Sequence, residues 1–339
     1  MTPLICNLPF GSRHAQNYSL QLVERGSIDL DEDITRVLHE YKDPQVLVGF
    51  KDDGEPITRS AKNKMTLRHL LTHSSGIGYD FLNADLQQYR LHHGLSVPGK
   101  GESLTEWAFV PLLFEPGEGW SYGYSMDWVG AVVERIGAHG TLEEYMSKNI
   151  WEPLQMHSTT FRFKDRLDIS SPERLVTLLE RNSKGHIEVA SMDPTTKTFH
   201  FNGGGSGLFS SPTDYVSLLS SLLRNDGIAL KPETRNLLFE PVPGIGRFVK
   251  EFLYKVPENV RDGFLGGFTL EQEYTWAMGG LLAMEDLAFG RKKGSLSWAG
   301  MPNHSWWIDP SSDLYGLYAT KLSKRLRENS KRLYIKNES

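Results

Sequence analysis

The stretch after residue 265 constrains the fold more than any other part of the chain. "YTWAMGGLLAM" (274–284), "SLSWAG" (295–300), "HSWWID" (304–309) and "LYGLYAT" (314–320) are short, aromatic and apolar, and turn residues separate them. Runs of this kind predict antiparallel strands. Ahead of them the pattern is helical. Ala15, Tyr18, Leu22 and Val23 fall on one face, and Gly26 stands where that helix should stop. "MTLRHLLTH" (65–73), "SMDWVGAVVERIG" (125–137) and "TLEEYMSKNIWEPL" (141–154) read as further helices. "SPTDYVSLLSSLLRNDG" (211–227) is the clearest, with Pro212 near its start, Asp214 in its first turn and Gly227 closing it. "KDDGEPITRSAKNK" (51–64) and "HHGLSVPGKGES" (92–103) read as polar loops. The basic end has Leu322 and Leu326 at i, i+4 and predicts a terminal helix on the sheet with a solvated charged face. A helical middle and an α/β back half result.

Charge and cysteine content narrow the functional classes. The net charge of -5 supplies no basic field for nucleic acid. Cys6 is the single cysteine, so no internal disulfide forms, and the chain reads as intracellular. No stretch approaches the ~20 apolar residues of a membrane span. "MTPLICNLPF" lacks the pattern of a secretion signal. The expected location is the cytoplasm, with no membrane partner.

Three local patterns carry chemistry. "PGEGWSYGYSMDWVG" (116–130) places a tyrosine after a Pro-Gly loop and before a helix. "GGGSGLFSSPTDY" (203–215) is a glycine run entering a helix. "LSWAGMPNHSWWIDP" (296–310) has Trp-x-Gly on one strand and an aromatic strand ending in Asp-Pro. Together with "MTLRHLLTHSSGI", these resemble the serine β-lactamase and penicillin-binding-protein family in its class C-like branch. Within it they are most similar to fungal lovastatin-type acyltransferases and family VIII-type esterases. The resemblance runs from about Leu20 to about Thr320 and implies the family's α+β fold. That fold is an antiparallel sheet flanked by helices with a mostly helical lobe, here one domain over 1–339. Residues 16–200 would form the helical lobe and 201–339 the lobe with the sheet.

The resemblance also implies roles. Tyr122 matches the tyrosine that, coupled to a lysine ammonium, takes the proton of a nucleophilic serine; a cation beside it would lower its pKa from ~10. Tyr124 stands where many relatives have Asn and would line the pocket. Trp298 replaces a Lys or His that binds a carboxylate, which points away from anionic penicillin-like substrates and towards an apolar acyl or polyketide group. Gly300 would let substrate approach closely, the Met301 N–H would be an oxyanion donor, and Gly205 would sit in a turn beside the site. The implied reaction moves an acyl group through an acyl-serine to an alcohol of a polyketide-like secondary metabolite. The implied partners are small molecules: an ester or thioester donor, with an acyl-carrier domain as one source, and an alcohol acceptor. No cofactor or metal is implied. A carboxylesterase is the alternative within the family.

The nucleophile itself is not found. In the family a Ser-x-x-Lys helix runs into the segment that reads "LQLVERG" here. Counting back puts the serine position at Pro9 and the lysine position at Ser12, and Ser-x-x-Lys occurs nowhere in the 339 residues. The resemblance places a helix and two sheet strands before the nucleophile, so those strands are expected to be missing here and to precede residue 1 in a longer parent chain. The alternative is a protein of this length that binds without catalysis. His69 and His73 have the i, i+4 spacing of a helical zinc pair, but packing around the "THSSG" turn is the expected role. His304 is expected at a strand end, and the glycine run lacks the Lys-Ser/Thr of a phosphate cradle.

Overall fold

The computed structural model describes residues 6–7, 11–98, 102–137, 140–166, 174–182, 184–190, 199–256, 258–266, 268–288, 290–300 and 304–322. The helices in chain order are α1 (Gly11–Glu24), α2 (Leu67–Leu71), α3 (Ala84–His92), α4 (Leu104–Ala108), α5 (Ser125–Ile136), α6 (Leu142–Met146), α7 (Pro212–Arg224), α8 (Pro232–Leu237), α9 (Ile245–Lys255) and α10 (Glu258–Leu265). The strands are β1 (Cys6–Asn7), β2 (Gln45–Phe50), β3 (Pro56–Ser60), β4 (Leu179–Arg181), β5 (Ile187–Val189), β6 (Phe209–Ser210), β7 (Tyr274–Ala277), β8 (Gly280–Ala283), β9 (Leu296–Gly300), β10 (His304–Asp309) and β11 (Leu314–Tyr318).

The aromatic back half forms one five-stranded antiparallel sheet in the order β11-β10-β9-β8-β7. Alternation positions its side chains: on β10, His304, Trp306 and Ile308 are buried while Ser305 and Trp307 between them are half-buried. All four residues of β8 are buried, as suits a strand flanked on both sides. Helix α7 packs on β10 and β11, while α9 packs on β7 and α10 on β9. Buried residues from Tyr18 through Trp128 to Ile308 make one continuous core.

The helices follow their signals. Gly26, at φ +68, closes α1. Thr66 caps α2 through the His69 N–H, and Thr141 with Glu144 makes a capping box at α6. Four expectations need correction. "YTWAMGGLLAM" is not one strand but the β7–β8 hairpin, because Met278 and Gly279 turn the chain. A Cβ on Gly279 would lie 2.4 Å from Leu296 Cδ2, so only glycine packs there. The polar loop 51–64 contains β3, paired with β2; its last four residues are exposed, so no apolar alternation marks it. Helix α7 ends at Arg224 with Asn225 left-handed at φ +54, three residues sooner than Gly227 implied. Beyond α6 the helix in 141–154 continues as a π-helical turn, Ser147–Trp151. The basic terminal helix expected beyond Leu322 lies outside the described residues.

Candidate functional site

Tyr122 sits in the loop just ahead of α5. Backbone bonds tie that loop to the turn after α2: the Ser121 N–H donates to the His73 carbonyl at 3.0 Å and the Gly117 N–H to that of Ser74 at 2.8 Å. Gly123 has no room for a side chain, since a Cβ would lie 2.2 Å from the Ile77 carbonyl oxygen. The "THSSG" turn and the "GWSYGY" loop are therefore one unit, and it holds His73 in the left-handed region at φ +55. A non-glycine residue there is strained and marks a position fixed by its surroundings.

Four rings close a circuit beside this unit. His73 lies 4.8 Å from Tyr122, Tyr122 5.0 Å from Trp298, Trp298 4.6 Å from Trp276, and Trp276 5.6 Å from His73, centroid to centroid. Trp298 comes from β9 and Trp276 from β7, with β8 between them in the sheet. These four, with Gly279, Gly280 and Trp306, line a small cavity with room for about one water-sized group. Phe264 of α10 covers it, 5.1 Å from Tyr122 and stacked on Trp298.

The electrostatics differ from those implied by the resemblance. Among the described residues no charged side chain lines the cavity. Burial pushes the Tyr122 phenol up to about 12, with the Trp298 indole N–H opposing and the Asp127 carboxylate adding to the rise. Tyr122 is thus a neutral phenol at pH 7 and a hydrogen-bond donor; the Trp298 N–H only partly offsets the effect of burial. Burial alone lowers His73 to about 3, so its imidazole is neutral as well.

The other expected residues are arranged in layers around this centre. Gly300 ends β9 opposite His304, half-buried, and does not line the cavity. Met301 lies outside the described residues. Gly205 does not reach the cavity either: its N–H donates to Asp127 Oδ1 at 3.2 Å, and the Ser206 hydroxyl donates to the same oxygen at 2.8 Å. Asp127 is fully buried in the first turn of α5, and burial raises its carboxyl to about 6 against those two bonds and its own backbone N–H. Tyr124 is not a cavity residue. Its hydroxyl donates to Asp80 Oδ1 at 2.7 Å, and Asp80 pairs with the buried Arg90 guanidinium at 3.1 Å. His304 is a buried strand residue whose Nδ1 accepts the Thr320 N–H, and burial lowers it to about 4. Among the described residues no group of three His, Cys, Asp or Glu gathers to hold a metal.

Sequence reasoning missed three contributors. His73 was assigned to packing, and only its φ reveals a constrained position. Trp276 and Phe264 lie in segments with no motif; their positions on β7, one strand beyond β8, and on α10 bring them to Trp298.

Comparisons with known proteins show the family and the fold. The family model described as Beta-lactamase matches residues 18–337. Monacolin J acid methylbutanoyltransferase from Aspergillus terreus is 35% identical over 304 residues, spanning 87% of this chain and 71% of the relative. Lovastatin esterase from Penicillium rubens is 33% identical over 303 residues, spanning 89% and 75%. Unliganded simvastatin synthase from Aspergillus terreus superposes with a TM-score of 0.84 at 32% identity, covering 95% of this chain and 80% of the other.

Proposed function

Since the chain belongs to the beta-lactamase family, we propose that it serves acyl transfer from an uncharged ester or thioester to an alcohol of a polyketide-like metabolite. The observation that carries this reading is the aromatic, uncharged cavity at Tyr122 and Trp298, in a chain 35% identical to a methylbutanoyltransferase. An uncharged wall accepts an apolar acyl group and leaves a carboxylate without a counter-ion. Trp298 walls the acyl site, Tyr122 donates a hydrogen bond to the reacting groups, and Gly300, outside the cavity, leaves room for the rest of the substrate to approach. Gly205 acts from behind, through Asp127. Tyr124 braces the loop through Asp80 instead of lining the pocket. An acyl-carrier domain as donor and a cytoplasmic setting complete the proposal. Among the described residues no helix is long and apolar enough to cross a membrane.

Ser-x-x-Lys is absent from the 339 residues, and this favours a second reading, in which the polypeptide binds donor and acceptor without forming an acyl-serine. One experiment separates the readings. The purified polypeptide is given an acyl thioester and a polyketide alcohol, and protein and products are followed by mass spectrometry. Transferred ester supports the acyl-transfer reading. Thioester consumption without transferred product makes the protein an esterase, the activity in the name of the Penicillium rubens relative. Saturable binding without turnover makes it a binding protein.

A further inference from the structure

Buried polar groups in folded proteins are hydrogen-bonded with few exceptions, and each exception calls for an explanation. Three exceptions meet at one place here. His73 Nδ1, Trp276 Nε1 and Trp298 Nε1 are all buried without a hydrogen-bond partner among the described residues, and all three residues line the same cavity. The residues are 1%, 1% and 4% exposed. The Trp298 N–H lies near enough to the Tyr122 oxygen to affect its ionisation, but it falls short of a hydrogen bond.

The chemistry of the missing partner follows from the donor set. An indole nitrogen can only donate, so Trp276 and Trp298 each require an acceptor. A neutral imidazole donates from one nitrogen in the matching tautomer. Two or three donors around a space for about one heavy group describe a site for a single acceptor oxygen. Among the described residues no cationic side chain lines it, so an anion there would lack a counter-charge. The ring faces of Tyr122 and Trp306 complete an apolar surround, suited to the carbon atoms next to that oxygen.

We propose that this cavity is a binding site for the carbonyl oxygen of a neutral ester or thioester, held by the Trp276 and Trp298 indole N–H groups with His73 beside them. The ligand class rests on the acyl-transfer reading; the donor cradle does not. The site differs from the backbone position at Met301, since its donors are side chains on β7, on β9 and in the turn after α2. It also gives the missed residues a role: Trp276 is a recognition residue for the acyl donor, and the strained backbone at His73 keeps that imidazole in the ring circuit.

The eight tryptophans give eight indole signals in a 15N-resolved proton spectrum. Those of Trp276 and Trp298 are assigned with Trp276→Phe and Trp298→Phe. The wild-type protein is titrated with ethyl acetate, sodium acetate and ethanol in turn. The expected result is a saturable downfield shift of these two signals with ethyl acetate, and no saturable shift with the other two. Trp276→Phe should weaken ethyl acetate binding roughly fivefold, the weight of one net hydrogen bond. If sodium acetate moves the signals instead, the site is for anions and the proposal fails. If ethanol moves them equally, the carbonyl is not what is recognised and the proposal fails. If none moves them, the cradle holds water alone and the proposal fails. Should either variant not fold, the wild-type titration still decides, with the surviving variant assigning its signal. A polypeptide inactive in transfer that gives the ester-selective shifts retains the carbonyl site and loses only the transfer reading.

Discussion

The Trp298 indole lies flat against the Phe264 ring, with centroids 5.2 Å apart and planes 8° from parallel. One ring belongs to the central strand β9, the other to the short helix α10. This stack is what keeps α10 over the cavity. Phe264→Ala removes the stack and the contact with Tyr122. It should destabilise the protein by about 3 kcal/mol, the low end for buried Phe→Ala because Phe264 is only half-buried. It should also expose Trp298, so acrylamide quenching of tryptophan fluorescence should rise. Unchanged quenching would show that α10 is held by other contacts.

Tyr122 should titrate late. Burial raises its phenol to about 12. A folded-state pKa above the unfolded ~10 favours the protonated form, so its contribution to stability is fully present below pH 10 and is lost as pH rises towards 12. Ultraviolet difference titration of wild type against Tyr122→Phe should show no Tyr122 ionisation near pH 10. A phenolate signal at pH 9 would reveal a cation beside the ring and restore the base role.

Asp127 gives an opposite use of the same reasoning. Its folded pKa of about 6 exceeds the ordinary aspartate value of 3.8, so folding favours the neutral acid. The ionised carboxylate therefore costs stability as pH rises from about 4 to about 6. Both side-chain and loop donors converge on Oδ1, an oxygen that asparagine keeps. Asp127→Asn should gain on wild type by up to about 3 kcal/mol between pH 4 and pH 7. The check is thermal unfolding of both proteins across that range. A constant difference would show that folding leaves the Asp127 pKa unchanged, and a difference of opposite slope would show that the site stabilises the ionised form.

The Arg90–Asp80–Tyr124 chain is buried throughout. Arg90 also donates to the carbonyls of Ser96, Glu106 and Phe109, so it joins α3 to the loop before α4 and to the residue after it. Asp80→Ala leaves that guanidinium without its counter-charge and should cost about 3–5 kcal/mol in urea unfolding. Tyr124→Phe, which removes one hydroxyl donor to a charged group, should cost about 1.5–3 kcal/mol.

The sheet was legible because aromatic and aliphatic runs between turns have few other solutions. The β7–β8 hairpin was not, because "WAMGGLL" is apolar through its turn and only the crowding at Gly279 shows where the chain must fold back. β3 escaped because an exposed strand has no buried face to mark its period. Within the site, Tyr122 and Trp298 were found by motif and meet at 5.0 Å. Their partners His73, Trp276 and Phe264 come from three other segments, and only tertiary register unites them. Tyr124 is two residues from Tyr122, but the turn into α5 directs its hydroxyl to Asp80.

The central claim is that the site takes an uncharged acyl donor. The most direct measurement is fluorescence titration of the polypeptide with the butanoyl thioester of N-acetylcysteamine and, separately, with benzylpenicillin. Trp276, Trp298 and Trp306 line the cavity and report its occupancy. The account predicts saturable change with the thioester, abolished in Trp298→Lys, and none with benzylpenicillin. Saturable binding of benzylpenicillin, with none of the thioester, would contradict it.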